Sequence, residues 1–366
     1  MKLLEIFEEL PDFRRKSQVR HNLSSILVIS LCAVLSGADD FEEIAEYGKE
    51  KEGFLGQFLS LPYGIPSHDT IRRVFQNMDT SSFEKCLRAR SEEVIKGLKE
   101  YQINIDGKVL RATGERGKKT AALCIVSAWS SEHCLSLGQV KVDKKSNEKT
   151  AIPELLEAID LQGALVSIDA MGCDKKIAAT IRSKEGDYLL ALKKNQKGLY
   201  EEVEDWMKKH KSTMENYSET DYVGGRIEKR TTYVCSDLTY IDEARHWKDS
   251  KRVIMVESER SFKNGKEKTT FQTRFYISSK EQDAQYFSKQ TRKHWSIENQ
   301  LHWYLDVVFN EDRQRVREGN APENMAIIRK LALQTLIKSK GKKSVKTMRK
   351  KIAWKEDLLF EVLQYF

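Results

Sequence analysis

The chain has 366 residues, of which 40% are hydrophobic and 32% are charged, and its formal net charge is +8. A chain of this length can form two or three domains, and its hydrophobic content excludes a globally disordered or collagen-like protein. The longest apolar run, 23–35, is too short to span a bilayer and predicts a buried helix. Because residues 1–10 contain glutamates rather than a secretory signal, we expect a cytoplasmic protein without a membrane partner.

The charge is distributed unevenly along the chain. Residues 1–100 carry 14 basic and 17 acidic side chains, so the remaining residues have a net charge of +11. A polyanion would therefore be bound mainly by the later part of the chain. Three basic groups lie there, at 116–119, 193–197 and 338–355. Each could also be a solvated surface, but the last has nine basic residues and no acid, which favours phosphate binding.

Residues 1–100 are predicted to form a helical module, because apolar residues recur at three- and four-residue spacing. Within it, Ser67 or Asp69 could cap a short helix that bears Arg72 and Arg73. Such a helix could be the recognition helix of a helix-turn-helix unit that binds DNA. The alternative is an ordinary bundle helix with a solvated pair of arginines.

The pattern changes near residue 101. Short apolar or alternating runs predict strands, and segments with helical spacing lie between the later ones. The strands are predicted at 103–110, 121–129, 134–142, 165–168 and 188–192, and the helices at 151–159 and 175–181. This order favours an α/β (α+β) fold with a mixed sheet, in which the first three strands form a meander and the first and fourth can be neighbours.

Residues 200–280 contain further strand-like runs and predict a mostly β insertion. Helical spacing returns at 288–309 and 324–337, before the basic end of the chain. We therefore predict a helical N-terminal module, a core in two parts separated by the insertion, and a basic helical tail. The predicted boundaries are 1–100, 101–199, 200–280, 281–337 and 338–366.

Two aspartates lie in or beside apolar strands. Asp106 lies inside the first predicted strand, and Asp169 follows the fourth. A lone carboxylate is costly to bury, and two carboxylates on neighbouring strands would repel each other. A divalent cation would relieve that repulsion. The alternative is that each is a turn or capping aspartate.

A glutamate flanked by histidines is the third acidic candidate. On a continuous helix, His294, Glu298 and His302 would share one face. They could be zinc ligands, although their spacing does not match His-Glu-x-x-His. A core helix with hydrogen-bonded histidines is another alternative. Asp306, two turns beyond Glu298, is the reserve candidate for the third acid.

Four ordered motifs carry a resemblance to a known family. They are DGK at 106–108, IDAMGC at 168–173, DYLLALKKNQ at 187–196 and HWSIENQLHW at 294–303. With these motifs, and with PDFRR at 11–15, the chain resembles the DDE-type insertion-sequence transposases of the ISAs or H-repeat-associated family over nearly its whole length. Neighbouring families have tyrosine, arginine and lysine where this chain has Thr291, His294 and Leu305.

The resemblance implies a ribonuclease-H-like fold in which Asp106, Asp169 and Glu298 are the catalytic and metal-binding residues. It also implies two Mg²⁺ or Mn²⁺ ions, which assist cleavage at insertion-sequence ends and transfer of the 3′ hydroxyl to target DNA. The implied partners are double-stranded terminal-repeat and target DNA, with a homodimer or higher oligomer in the synaptic complex. A Mg²⁺-dependent nuclease or resolvase, or a degenerate protein that only binds DNA, is the alternative.

The residues expected to contact DNA are basic and come from four parts of the chain. Arg292 and Lys293 could substitute for the phosphate contacts that the neighbouring families obtain from their own pattern. The full set is Arg72, Arg73, Lys193, Lys194, Arg292, Lys293, Lys342, Lys343 and Lys350.

Overall fold

The computed structural model describes residues 2–96, 98, 100–114, 121–142, 148–262 and 268–364. The basic group predicted at 116–119 lies outside the described residues. The strands are β1 (Tyr101–Leu110), β2 (Leu123–Ser130), β3 (Leu135–Lys141), β4 (Ala164–Ile168), β5 (Asp187–Leu192), β6 (Glu215–Val223), β7 (Arg226–Cys235), β8 (Arg252–Phe262) and β9 (Thr270–Ser278).

The helices fall into three groups along the chain: before the sheet, between its strands, and after it. They are α1 (Lys2–Glu8), α2 (Leu23–Ser36), α3 (Phe41–Glu50), α4 (Glu52–Leu55), α5 (His68–Asn77), α6 (Thr80–Ile95), α7 (Glu148–Ala158), α8 (Lys175–Ser183), α9 (Lys197–His210), α10 (Ala284–His294), α11 (Trp303–Val307), α12 (Ala321–Ser339), α13 (Val345–Trp354) and α14 (Glu356–Leu363).

The described strands form one mixed sheet in the order β3-β2-β1-β4-β5-β9-β8-β7-β6. Strands β1, β2 and β3 form an antiparallel meander, and β1 then pairs in parallel with β4, where Ile105 lies opposite Ile168. The predicted meander and the predicted pairing of the first and fourth strands are confirmed. With helices flanking this sheet, the fold is ribonuclease-H-like.

The β insertion extends this sheet rather than forming a separate one. Strand β9 pairs with β5, and β8, β7 and β6 follow in antiparallel order. Gly224 and Gly225 turn the chain between β6 and β7 with positive φ angles, which glycine adopts at little cost. Helix α9 precedes these strands and was not expected from the sequence, although Leu199, Val203 and Met207 are buried at helical spacing.

Helices cover both faces of the sheet. Helices α7, α8 and α9 bury apolar side chains such as Leu155 and Val203 in one hydrophobic cluster with Ile103 and Ile105 of β1. Helix α10 packs on strands β6 and β7 and contacts β1, β4 and β8. Because side chains alternate along a strand, Asp106 points away from the α7 face and toward the side of α10.

The N-terminal and C-terminal helices share a second core. Every residue from Leu23 to Leu35 of α2 is buried, as predicted, and α2 packs against α1, α3, α12 and α13. Both ends of the chain therefore contribute to one packed unit. Within the described ranges, no helix alone is long and apolar enough to cross a membrane, and α2 with α3 passes such a test only as a pair bent by 95°.

Candidate active site

Asp106 and Asp169 lie on neighbouring strands. Asp106 is in the middle of β1, and Asp169 directly follows β4, one residue beyond the pairing of Ile105 with Ile168. Asp169 caps a 3₁₀ turn, in which its Oδ1 accepts a hydrogen bond from the Met171 amide at 2.9 Å. The parallel register of β1 and β4 thus brings the two acids to the same edge of the α10 face.

Glu298 lies in a π-helical turn, Ile297–His302, between α10 and α11. The segment predicted at 288–309 is largely helical, but the assumption that His294, Glu298 and His302 lie on one continuous helix is wrong, because the π turn widens the helix and changes the direction of its side chains. Ile297 and Leu301 are buried and anchor the turn, whereas Glu298 is exposed. Such turns occur frequently at functional sites.

Two histidines connect this helical segment to the strands. His294 Nδ1 lies 3.0 Å from Ser167 Oγ on β4, and His302 Nδ1 lies 3.4 Å from Asp106 Oδ2 on β1. Burial lowers the pKa of His294 to about 4 and that of His302 to about 3. Both rings are therefore neutral at neutral pH and hold the segment in place without adding positive charge.

Asp106, Asp169 and Glu298 line one cleft with a volume of about 420 Å³. Lys193, which follows β5, and Arg274 of β9 also line it. The structure therefore brings the three predicted acids to a common cavity, together with two cationic side chains. Because Arg274 and its neighbours on β9 line the cleft, the β insertion contributes directly to it.

Asp106 has a strongly perturbed acidity. Burial, followed by repulsion from Asp169, raises its pKa from 3.8 to about 7, and Glu148 and Glu298 add to that repulsion. With this pKa, the Asp106 carboxyl is partly protonated at neutral pH. A bound cation would favour its ionised form.

The donor set of the cleft suits a hard divalent cation. Three carboxylates supply the oxygen ligands that Mg²⁺ and Mn²⁺ prefer. Across the described ranges, no three His, Cys, Asp or Glu side chains are close enough to hold an ion as they stand, so the carboxylates would have to draw together on binding. The zinc alternative lacks support, because His294 and His302 contact different strands.

A fourth acid, Glu148, was missed from the sequence. It begins α7, and its carboxylate lies against Gly107, so that a Cβ atom at position 107 would collide with it. Burial and repulsion from Asp169 raise the pKa of Glu148. No local motif marks this residue, because its approach to β1 depends on a contact between distant parts of the chain.

Asp306, the reserve candidate, is engaged elsewhere. Its carboxylate forms an ion pair with Lys108 of β1, whose ammonium also contacts Glu311 Oε2 at 2.6 Å. The ammonium of Lys108 therefore lies between two acids on the segment that follows Glu298. Glu298 lines the cleft, whereas Asp306 neutralises a lysine beside it.

The basic residues predicted to contact DNA are not equally available. Lys193 and Lys194 are exposed, and Lys193 lines the cleft. Arg292 pairs with Glu219 and Asp221 of β6, and Lys293 pairs with Glu132. These two therefore serve at least partly to fix α10 against its neighbours.

The remaining predicted contacts lie on α5 and near the C-terminus. Ser67 caps α5 by accepting a hydrogen bond from the Thr70 amide at 3.3 Å, as one of the two predicted capping residues. Arg72 and Arg73 are exposed, and Arg72 pairs with Asp69. In the basic tail, the predicted DNA-contacting lysines, Lys342, Lys343 and Lys350, are exposed. The apolar side chains of Val345, Met348 and Ile352 are buried.

Comparison with known proteins identifies relatives over the whole chain. The putative transposase YncI of Escherichia coli O157:H7 is 42% identical over 369 residues, covering 99% of this chain and 94% of the relative. The H repeat-associated putative transposase YhhI of Escherichia coli K12 is 38% identical over 368 residues, covering 99% of this chain and 97% of the relative.

A solved structure, the piggyBac transposase synaptic complex with hairpin DNA, aligns at a TM-score of 0.43 and 11% identity, covering 100% of this chain and 79% of that chain. This score is low, and the strand order described above is what assigns the fold. Two family models also match: DDE_Tnp_1-associated over residues 4–89 and Transposase DDE domain over residues 87–334. This chain therefore belongs to the DDE transposase family, with the H repeat-associated transposases among its relatives.

Proposed function

We propose that this chain cleaves DNA at the ends of an insertion sequence and joins the freed 3′ hydroxyl to target DNA. The observation that carries the proposal is the convergence of Asp106, Asp169 and Glu298 on one cleft. Membership of the transposase family and the ribonuclease-H-like sheet support the same reaction class. We propose these three acids as the catalytic residues.

The same three carboxylates are the proposed ligands of two Mg²⁺ or Mn²⁺ ions, and Glu148 is a proposed additional ligand or support. When bound, such ions stabilise the attacking and leaving oxygens of an in-line phosphoryl transfer. The raised pKa of Asp106 supports this assignment, because it reflects burial of the carboxyl and repulsion from Asp169, and a bound cation would offset both.

The chain's own residues position the reacting groups. His302 and His294 hold the π turn against β1 and β4, which keeps Glu298 facing the cleft. Lys193 and Arg274 supply positive charge for the phosphates on either side of the reacting one. The attacking oxygen belongs to water in the cleavage step and to the DNA 3′ hydroxyl in the joining step.

The proposed partner is double-stranded DNA, bound through phosphate contacts from the predicted basic residues. We propose that the chain acts in the cytoplasm and assembles as a dimer or higher oligomer on paired ends. The exposed lysines of the tail and Arg73 of α5 support phosphate binding.

The proposal is tested with the full chain and a duplex carrying the element's terminal repeat. Asp106→Asn, Asp169→Asn and Glu298→Gln should each lower Mg²⁺-dependent cleavage by at least about 100-fold, because each removes a metal ligand. DNA affinity measured in EDTA should stay within about twofold, since phosphate contacts lie on other residues. Asp160→Asn, at an exposed turn, is the matched control.

The products distinguish the alternatives. Cleavage followed by joining of the 3′ end to a second duplex supports the transposase reaction. Cleavage without joining would indicate a nuclease or resolvase on the same fold. Full cleavage by any of the three variants would remove that residue from the proposed site.

A further inference from the structure

The segment after Glu298 runs along β1 toward its C-terminal end. His302 lies beside Asp106, Glu311 contacts Lys108, and Asp312 pairs with Arg111 just beyond the strand. The contacts follow the same order along residues 106–111 and along residues 302–312. The chain therefore leaves the cleft beside β1 and reaches a second surface, beyond the end of the strand.

Three arginines occupy the next stretch of this segment. Arg313, Arg315 and Arg317 are exposed, whereas Gln314 is buried and Val316 is half-buried against the core. Gln314 Oε1 accepts a hydrogen bond from Arg329 at 2.6 Å, which fixes the alternation. We call Arg313, Arg315 and Arg317 the arginine row.

The arginine row lines a groove with a volume of about 720 Å³. His68 and Arg72 of α5 also line this groove. Arg317 anchors the row to the end of β1, because its guanidinium donates hydrogen bonds to the Ala112 carbonyl oxygen at 3.1 and 3.2 Å. Arg313 and Arg315 form no ion pair with any described residue, so their charges remain available to a partner.

Acidic residues also line the groove, and three of the four, Asp39, Asp40 and Glu42, lie at the start of α3, on the side away from the arginine row. Asp40 caps α3, and Asp39 Oδ2 accepts a hydrogen bond from Asn310 at 2.6 Å. Glu318 Oε2 accepts a hydrogen bond from Gln76 at 2.8 Å. The carboxylate of Glu42 is exposed on the α3 side of the groove. A polyanion is therefore expected to lie along the arginine row and α5 rather than along α3.

The spacing of the row identifies the kind of anion. Gln314, between the first two arginines, has an extended backbone, and alternate residues of extended backbone are separated by about 7 Å, so the guanidinium groups form a line rather than a pocket. A single phosphate or nucleotide would engage one of them, whereas a sugar-phosphate backbone presents phosphates repeatedly along its length. The chemistry of the row therefore matches nucleic acid backbone.

We propose that the arginine row binds the backbone of duplex DNA about five base pairs from the phosphate that reacts at Asp106. The distance follows from β1, because the four residues from Asp106 to Leu110 span about 13 Å, the arginine row begins just beyond the strand, and duplex DNA rises about 3.4 Å per base pair. This inference rests on the proposed function for the position of the reacting phosphate. The phosphate contacts themselves do not depend on it.

The first test measures the salt dependence of DNA binding in EDTA, so that it does not involve catalysis. The probe is a duplex of arbitrary sequence about 40 base pairs long, because backbone contacts are independent of sequence. Arg313→Gln with Arg315→Gln should reduce the log–log salt slope by about 1.8, or about 0.9 for each lost contact. The matched control is Lys208→Gln with Lys209→Gln, two exposed lysines of α9, which should leave the slope unchanged.

The second test locates the contact. Neutral methylphosphonates are placed one at a time along a duplex that carries the cleaved end. Wild type should lose affinity for substitutions about four to seven base pairs from the cleaved phosphate, and the double variant should be insensitive there. If the double variant has wild-type thermal stability and an unchanged salt slope, the arginine row does not bind DNA phosphates. If methylphosphonates lower the affinity of wild type only at other positions, the row does not lie at the proposed distance from the cleaved phosphate. If wild type still cleaves DNA, either result leaves the proposed catalysis intact.

Discussion

Gly107 allows two acids from distant parts of the chain to approach each other. With no side chain at this position, the Glu148 carboxylate can lie against β1 beside Asp106. We predict that Glu148→Gln lowers the single-turnover cleavage rate by about 10- to 100-fold, because residues that support metal ligands typically contribute this much. DNA affinity in EDTA should be unchanged.

The control for this prediction is Glu157→Gln, an exposed position on the same helix, which should retain wild-type cleavage. Gly107→Ala should reproduce the loss, since the added methyl group displaces the Glu148 carboxylate. Combining the two substitutions should cost little more than either alone. Wild-type cleavage by Glu148→Gln would exclude this residue from the site.

The position of Asp169 could be predicted from the sequence, whereas that of Glu148 could not. Asp169 directly follows a strand of five buried residues, so its position at the strand end could be predicted from the apolar run before it. Glu148 is one of many glutamates at the start of a helix. Its importance arises only from a tertiary contact, which no local pattern encodes.

Among the secondary-structure elements, the π turn is the one that bears most directly on the proposed catalysis, because it carries Glu298. Deleting Asn299 should convert Ile297–His302 to an α-helical turn while keeping α10 and α11 in register. We predict that cleavage falls by at least about 100-fold, because Glu298 would be displaced from the cleft. The melting temperature should change by only a few degrees.

Asn299→Ala keeps the length of the turn and is the control, for which cleavage should stay close to wild type. The two variants are compared in cleavage assays and in thermal unfolding followed by circular dichroism. Retained cleavage after the deletion would show that the widened turn does not position Glu298.

The sheet was more predictable than the helices around the cleft. Strands β1 to β5 could be located from apolar and alternating runs, since one period of two residues specifies both the strand and its buried face. The π turn could not, because the sequence of 297–302 satisfies ordinary helical spacing and the extra width comes from packing. Helix α9 was missed because it borders a segment dominated by strands.

In the whole molecule, one side chain ties the two ends of the chain to the segment that follows Glu298. Arg349 of α13 donates hydrogen bonds to the Val34 carbonyl oxygen at the end of α2, at 2.9 and 3.0 Å, and to the Val308 carbonyl oxygen beyond α11. It also lies 3.6 Å from the Asp39 carboxylate. The basic tail is therefore partly a structural element.

We predict that Arg349→Ala lowers the free energy of unfolding by about 3 kcal/mol, because it leaves buried carbonyl groups without this donor and removes a cation that lies beside the Asp39 carboxylate. Lys350→Ala, at the adjacent exposed position, should change it by less than about 0.5 kcal/mol. Denaturant unfolding monitored by tryptophan fluorescence would measure both. Equal stabilities would mean that the two ends are held together by apolar packing alone.

The same packing explains why the overall arrangement was only partly predictable. Both the N-terminal helices and the basic tail could be recognised as helical from their spacing. Their shared core could not, because contacts such as Arg349 with Val34 join positions at opposite ends of the chain. Sequence periodicity shows which face of a helix is buried but not which partner covers it.

Whether Glu298 or Asp306 is the third metal-binding acid can be tested directly with cysteine substitutions. Glu298→Cys and Asp306→Cys are compared for cleavage of a terminal-repeat duplex in Mg²⁺ and in Mn²⁺, because a thiolate ligand accepts the softer Mn²⁺ better than Mg²⁺. We predict that Glu298→Cys cleaves in Mn²⁺ but not in Mg²⁺, and that Asp306→Cys shows no such metal preference. Equal cleavage by Glu298→Cys in both metals, or Mn²⁺-specific cleavage by Asp306→Cys, would contradict it.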